Sequence, residues 1–255
     1  MIRPRVIPCL LLKGKGIYKT IKFKNPKYVG DPINTVKILN EKEVDELVFL
    51  DISASIENKK PNFTIIEEIA SECFMPLAYG GGINSVNDIK TLFSLGVEKV
   101  IINSFAIEHP EFINKARDLY GSQSIVVSID VKMNLLGKYK VFTHSGTRDT
   151  GKDPVSAAIE MVQAGAGEIL LYSIDRDGTM LGYDLNLIKE VSSKINIPLI
   201  ACGGAWTLNH MEDAVKKSNA SAVAAGSLFV FEGKHRAVLI TYPTYKEIKK
   251  IFSRE

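Results

Sequence analysis

The sequence predicts an α/β fold, a closed (β/α)8 barrel, on three observations. Eight short apolar runs alternate with helical patterns, and such alternation means parallel βαβ units. The chain has 255 residues, a length that suits one such barrel. Paired features also recur between the two halves at an offset of 122 residues, the mark of a doubled unit. The chain is therefore read as a single domain over 1–255, with half-barrels at about 1–122 and 123–255.

Composition narrows the class of function. Formal net charge is +3, from 32 basic and 29 acidic residues, so no nucleic-acid partner is expected. Lysines cluster at Lys13, Lys15, Lys19, Lys22, Lys24 and Lys27. They read either as a solvated loop or as a mobile basic loop over an anionic substrate; aromatics for base stacking are sparse there. No apolar run reaches the length of a membrane helix. Met1-Ile2-Arg3-Pro4-Arg5 leads into an apolar run too short for a signal core, which makes the cytoplasm the expected compartment. The three cysteines, Cys9, Cys73 and Cys202, form neither a closed disulfide set nor a CxxC motif.

The elements follow in order. Val6–Leu12 is the first strand, and a long basic loop follows it. Asp31-Pro32 starts a helix, with an N-cap aspartate and proline at the first helical position. Glu46–Asp51 is strand two, and a helix runs through Phe63, Ile66 and Ile69. Pro76–Tyr79 is strand three, ending in Gly80-Gly81-Gly82. Ser85 caps the helix from Val86 to Leu95, which Gly96 stops. Lys99–Ser104 is strand four, and His109-Pro110 opens the next helix, to Tyr120. Ile125–Asp130 is strand five, β-branched and ending on a carboxylate. Leu136–Thr143 reads as an inserted hairpin arm or extended loop. Asp153-Pro154 starts the helix to Ala164. Glu168–Ser173 is strand six, Asp184–Ser193 a helix, Ile197–Cys202 strand seven, Leu208–Ser218 a helix, Ser221–Ser227 strand eight and Tyr245–Phe252 the last helix.

The repeat points to ligands. Asp31-Pro32 matches Asp153-Pro154, Glu46 matches Glu168, and Gly81-Gly82 matches Gly203-Gly204, each 122 residues later; Asn103-Ser104 matches Gly226-Ser227 after a one-residue shift. Each glycine pair follows a strand and precedes a helix. Read singly, such a pair is a tight turn. Read as two equivalent sets, they are anion cradles, because glycine lets backbone amides approach a phosphate at a helix start. A ligand with a phosphate at each end, or a sugar nucleotide, would span the barrel mouth.

Asp130 ends strand five, and in such a barrel the C-terminal strand ends carry the chemistry. It reads either as the reacting carboxylate or as a structural acceptor. Asp51, Ser104, Asp175 and Asp177 are its expected neighbours, and like charge there would raise its pKa. Cys9 and Cys202 sit at C-terminal strand ends and read as small core thiols, with a metal site only a weak candidate; no metal and no cofactor are expected. His144 reads as a surface histidine or as a proton donor from a flexible loop. Trp206 reads as a lid or as simple packing.

The chain resembles the cyclase subunit of imidazole glycerol phosphate synthase over essentially its whole length. The resemblance rests on Arg5–Leu10, Gly30-Asp31-Pro32, Asp45–Ile52, Gly80–Ile83, Ile129-Asp130, Asp175–Thr179 with Gly182-Tyr183-Asp184, and Ala201–Ala205. It implies a glutaminase partner, a class I glutamine amidotransferase subunit, docked on the N-terminal face. Ammonia would pass up the barrel to a site that cleaves a two-phosphate ribulosyl formimino nucleotide and closes an imidazole ring. It implies a catalytic role for Asp130 and substrate closure by Lys19. Asp177 and Gly178 would shape the loop beside the second phosphate, with Asp51 as a supporting acceptor. Arg5, Glu46, Lys99 and Glu168 match a charged ring at the lower entrance. Their positions at strand starts also place them on the bottom face, where such charges read as solvated groups or as a paired ring.

The chain departs from the family pattern at Leu11, where the family has an aspartate that partners the Asp130 equivalent. Thr20 replaces a usual glycine, Lys27 a common arginine, and Tyr172 a small hydroxyl residue. These departures are read as the paralogous branch associated with surface-polysaccharide gene clusters. That branch is proposed to turn an acetamido into an acetamidino group on a sugar nucleotide, with a glutaminase and a further amidotransferase-like enzyme. The alternatives are a genuine histidine-pathway cyclase subunit and a non-catalytic scaffold that channels ammonia.

Overall fold

The structure is a computed structural model that describes residues 3–253. Met1 and Ile2, which open the segment read as too short for a signal core, lie outside it. Eight strands form the barrel: β1 Arg5–Lys13, β2 Leu47–Asp51, β3 Leu77–Gly80, β4 Lys99–Ile102, β5 Ile125–Met133, β6 Glu168–Ser173, β7 Leu199–Cys202 and β8 Ala222–Ala225. Each pairs in parallel with the next, and β8 pairs back onto β1, so the sheet closes. This is a (β/α)8 barrel.

Closure sorts side chains by the two-residue period of a strand. Val6, Leu10, Phe49, Val127, Ile129 and Leu171 face outward, under the helices. Ile7, Cys9, Val48, Ala78, Val126 and Leu170 face inward and form a separate interior cluster. Both faces are therefore apolar, which is why the strands read as continuous hydrophobic runs.

The surrounding helices are α1 Pro32–Glu41, α2 Phe63–Glu72, α3 Val86–Ser94, α4 Ser104–Glu108, α5 Pro110–Tyr120, α6 Pro154–Ala164, α7 Leu185–Ser192, α8 Leu208–Ser218, α9 Ser227–Val230 and α10 Tyr245–Phe252. Both Asp-Pro starts act as expected. The Asp31 side chain accepts the Asn34 amide at 2.8 Å, and Asp153 accepts those of Val155 and Ser156 at 2.9 and 3.1 Å. Ser85 and Asp88 form a reciprocal capping box on α3. No helix among the described residues is long and apolar enough to cross a membrane.

Three segments differ from the sequence expectation. The basic loop after β1 is a β-hairpin, Gly16–Ile21 with Lys24–Gly30, turned by Lys22 and Phe23 at φ 54° and 61°. Its first strand pairs antiparallel with the overhanging end of β1. Lys19 within Gly16–Ile21 and the flanking Lys13, Lys15, Lys22 and Lys24 make the strand read as part of a polar loop. Second, β5 continues past Asp130 and pairs antiparallel with Tyr139–Thr143, which resolves the expected arm into a hairpin. Third, Asn103-Ser104 and Gly226-Ser227 end no strand; they open the short helices α4 and α9.

Removing either cap, by Asp31→Ala or Asp153→Ala, should lower the unfolding free energy by about 1 kcal/mol. Chemical denaturation would read this; unchanged stability in both variants would contradict the capping role.

Candidate active site at the barrel mouth

Asp130 leaves the barrel interior at the C-terminal end, level with Tyr172 on β6. It is 7% exposed and accepts one side-chain hydrogen bond, from Ser128 Oγ at 3.0 Å. Burial pushes its pKa up to about 7; the Ser128 bond opposes the rise and the Asp177 charge adds to it. The cause is thus chiefly desolvation rather than a crowd of carboxylates. Asp175 is engaged elsewhere, accepting the Met133 amide at 2.8 Å. Ser128 was not singled out in the sequence, although its place two residues before Asp130 puts it on the same strand face.

A cavity of about 510 Å³ opens over Asp130. Leu11, Thr20, Phe23, Leu50, Ser128 and Tyr172 line it together with Asp51, Gly81, Gly82, Asn103 and Ser104. Gly81 and Gly82 stand at φ 129° and 73°. A Cβ on Gly82 would lie 2.4 Å from the Lys59 carbonyl oxygen, so this turn closes only with glycine. Asp51 accepts the Ser53 amide and hydroxyl, both at 2.8 Å, and the Ala54 amide at 3.2 Å. It therefore shapes the β2 loop.

The second glycine set lies apart from this cavity. Gly203 and Gly204 share the left-handed backbone, at φ 101° and 102°, but neither lines this cavity, and the hairpin arm packs on the neighbouring loop after β6. Asp177 holds it there. Its carboxylate accepts from Lys19 Nζ at 2.5 Å, Thr20 Oγ1 at 2.6 Å, Tyr172 OH at 3.1 Å and the Phe23 amide at 3.2 Å. Its carbonyl accepts the Lys22 amide at 2.9 Å. Gly178 lets the Thr20 carbonyl come close, since a Cβ there would meet it at 2.2 Å. A Cβ on Gly226 would lie 3.1 Å from the Lys19 side chain. Lys19 is thus a buried ion-pair member in a folded arm, not part of a solvated loop. Thr20 and Tyr172, two departures from the family pattern, both donate to Asp177. Phe23 meets Tyr172 edge-on, with ring centroids 4.9 Å apart.

Leu11 is buried at the end of β1 and faces this cavity as an apolar wall. Cys9 and Cys202 are free, buried thiols of the interior cluster. Burial, then the neighbouring Cys9, pushes the Cys202 thiol far up, so it stays protonated. Among the described residues, no three His, Cys, Asp or Glu side chains gather as a metal site. Trp206 is half-buried against the outer core.

The opposite end of the barrel carries a closed ring of charge. Arg5 pairs with both Glu46 and Glu168. Lys99 Nζ lies 3.0 Å from Glu46 and 3.2 Å from Glu168. Each carboxylate is buried and shared by two cations, and each cation bridges two carboxylates. This alternation offsets the desolvation that an isolated buried charge would suffer.

Asp177→Asn removes the counter-charge of a nearly buried lysine. The arm should then swing out, because exposing Lys19 costs less than leaving its charge unpaired inside. Limited trypsin digestion should cut within residues 15–27 faster than in the parent protein. An unchanged cleavage rate there would show that Asp177 does not hold the arm.

Comparison with known proteins places these features. A family model described as "Histidine biosynthesis protein" matches residues 5–236. A Pseudomonas aeruginosa relative named "Putative imidazole glycerol phosphate synthase subunit hisF2" is 53% identical over 248 residues, 97% of this chain and 99% of the relative. Relatives bearing the same designation, ending HisF in Leptospira borgpetersenii and hisF3 in Vibrio vulnificus, are 49% and 48% identical. They cover 99% and 98% of this chain, and 100% and 96% of their own lengths. These matches overturn the branch reading drawn from Leu11, Thr20, Lys27 and Tyr172. They point to histidine biosynthesis and not to amidination of a surface-polysaccharide sugar, and the further amidotransferase-like enzyme expected with that branch goes with it. The four departures are substitutions in a barrel that matches the synthase subunits over nearly its whole length, and the chain belongs to the imidazole glycerol phosphate synthase subunit HisF family of histidine biosynthesis proteins.

Proposed function

We propose that the chain is the ammonia-using cyclase subunit of an imidazole glycerol phosphate synthase in histidine biosynthesis. The observation that carries this reading is the pairing of two sites on one barrel axis. The Arg5, Glu46, Lys99 and Glu168 ring stands at the bottom, and Asp130 stands under a cavity at the top. The interior between them includes small side chains, Ala78, Ala222 and Ala224. A glutaminase subunit docked on the N-terminal face would release ammonia at the ring, which acts as its gate.

In this reading the two half-barrels supply the two anion cradles for a phosphorylated substrate. Gly81, Gly82, Asn103 and Ser104 hold one phosphate. Gly203, Gly204, Gly226 and Ser227 hold the other once Lys19 and the arm rearrange. Asp130 is the base: as a carboxylate it takes a proton from the incoming nitrogen. Its raised pKa suits that exchange near neutral pH. Asp51, Asp177 and Gly178 shape the loops around the ligand. Leu11 also admits a second reading, a scaffold that delivers ammonia without turning substrate over.

The deciding assay supplies the purified chain with ammonium salt and the ribulosyl formimino nucleotide. Imidazole formation is the expected result. A folded protein that stimulates the glutaminase but yields no imidazole would instead establish the scaffold.

Asp130 also sets a stability signature. Unfolded, its pKa is near 3.8; folded, it is about 7. Between those values the folded state keeps a proton that the unfolded chain releases, so stability falls as pH rises from about 4 to 7. Asp130→Asn should therefore abolish turnover yet stabilise the fold by roughly 2–4 kcal/mol at pH 8, with little effect at pH 4. Urea denaturation at both pH values checks this. Equal effects at the two would contradict the buried-carboxylate assignment.

A further inference from the structure

With Leu11 unable to carry a proton, ring-forming chemistry at this mouth needs a second acid-base group, and the cavity offers few. Lys59 and Glu57 pair with each other on the outer rim, 2.5 Å apart, Glu108 is held by Arg148, and Lys13 is exposed over the Tyr18 ring. Asp51 is occupied by three donors from its own loop. Tyr172 donates to Asp177, and burial holds its hydroxyl proton in place. His144 remains. It lines the same cavity as Asp130.

The fold takes trouble to put it there. The strand Tyr139–Thr143 runs back along β5, with Phe142 opposite Asp130. The chain then turns through three consecutive left-handed residues, His144, Ser145 and Gly146, at φ 52°, 53° and 75°. Two of these are not glycine, an unusual backbone that concentrates at functional sites. Two hydrogen bonds tie the turn to the loops of the first half. The His144 amide donates to Ser104 Oγ at 2.9 Å, and Ser145 Oγ donates to the Ile52 carbonyl at 2.9 Å. The imidazole itself is oriented from one side. Nδ1 lies 3.2 Å from Thr143 Oγ1 and 3.9 Å from Glu108, a carboxylate that Arg148 holds at 3.0 Å. Its Nε2 has no hydrogen-bond partner among the described residues.

We propose that His144 is the acid that stands in for the carboxylate absent at Leu11. The proposal rests on the cyclase reading above. As ammonia attacks the ribulosyl carbonyl carbon, a C–N bond forms and the C=O π pair moves to oxygen. The His144 imidazolium gives that oxygen a proton, and Asp130 takes one from nitrogen. In the dehydration that follows, the nitrogen lone pair expels the hydroxyl group. Asp130 protonates it to water, and His144 takes one of the two protons left on nitrogen, leaving an imine. Both groups end as they began. Imidazole is suited to this double exchange because it gains and loses a proton near neutral pH. Glu108, Arg148 and Asp130 are the charged groups on neighbouring elements that bear on it.

The test uses the full chain with ammonium salt and the ribulosyl nucleotide. His144→Gln keeps the anchoring backbone amide and removes the exchangeable proton. It should lower kcat about 100-fold or more, leave KM nearly unchanged, and remove the alkaline limb of the kcat–pH profile. Leu11→Asp added to His144→Gln should restore at least about tenfold of the loss, since a carboxylate there would take over the role. A purely structural histidine would show neither the lost limb nor the rescue. Retention of kcat within about threefold, or an unrescued double variant, would overturn the proposal while leaving the cyclase reading intact. Absence of imidazole formation by the parent protein would overturn both.

Discussion

Closure of eight parallel strands into one barrel is the constraint on which everything else depends. It gives every second strand residue to an interior from which water is excluded, and leaves only the two ends for polar chemistry. Polar groups near the interior must therefore be paired or neutral. The bottom meets this with a ring in which two cations alternate with two carboxylates. The top meets it differently. Asp177 is saturated with donors, whereas Asp130 has one hydroxyl and a pKa lifted toward neutrality. A carboxylate held so loosely is a poor structural group and a good proton acceptor.

The mouth is asymmetric although the sequence repeats. Matching features 122 residues apart occupy matching places: Asp31 and Asp153 cap helices, Glu46 and Glu168 join one ring, and both glycine pairs adopt left-handed backbones. Yet only the first glycine pair faces the cavity with Asp130. The hairpin arm after β1 packs on the loop after β6, tied down by Lys19 and Thr20 on Asp177. Thr20 and Tyr172, two of the departures from the family pattern, both donate to Asp177.

The legible parts of the chain were those with local causes. Asp31-Pro32 and Asp153-Pro154 start helices because a capping carboxylate and a fixed φ act within four residues. Glu46, Lys99 and Glu168 could be placed together because each stands at or just before the start of a strand. The hairpin Gly16–Ile21 and Lys24–Gly30 reads as a loop because six lysines between Lys13 and Lys27 surround its short apolar stretches. The role of Thr20 escaped because its partner lies 157 positions away. Placement of His144 over the cavity depends on a turn of left-handed residues whose sequence, His-Ser-Gly, carries only a weak turn signal.

By itself, the sequence determined the barrel, its order of elements, and which carboxylate ends the central strand, because alternation, capping and chain length act along the chain. The tertiary structure alone decided that the Asp130 pKa is raised to about 7, that Lys19 is an internal ion-pair partner, and that the two glycine pairs stand in different surroundings. Burial and pairing are properties of what packs around a group, and for Lys19 the partner comes from the far half of the chain.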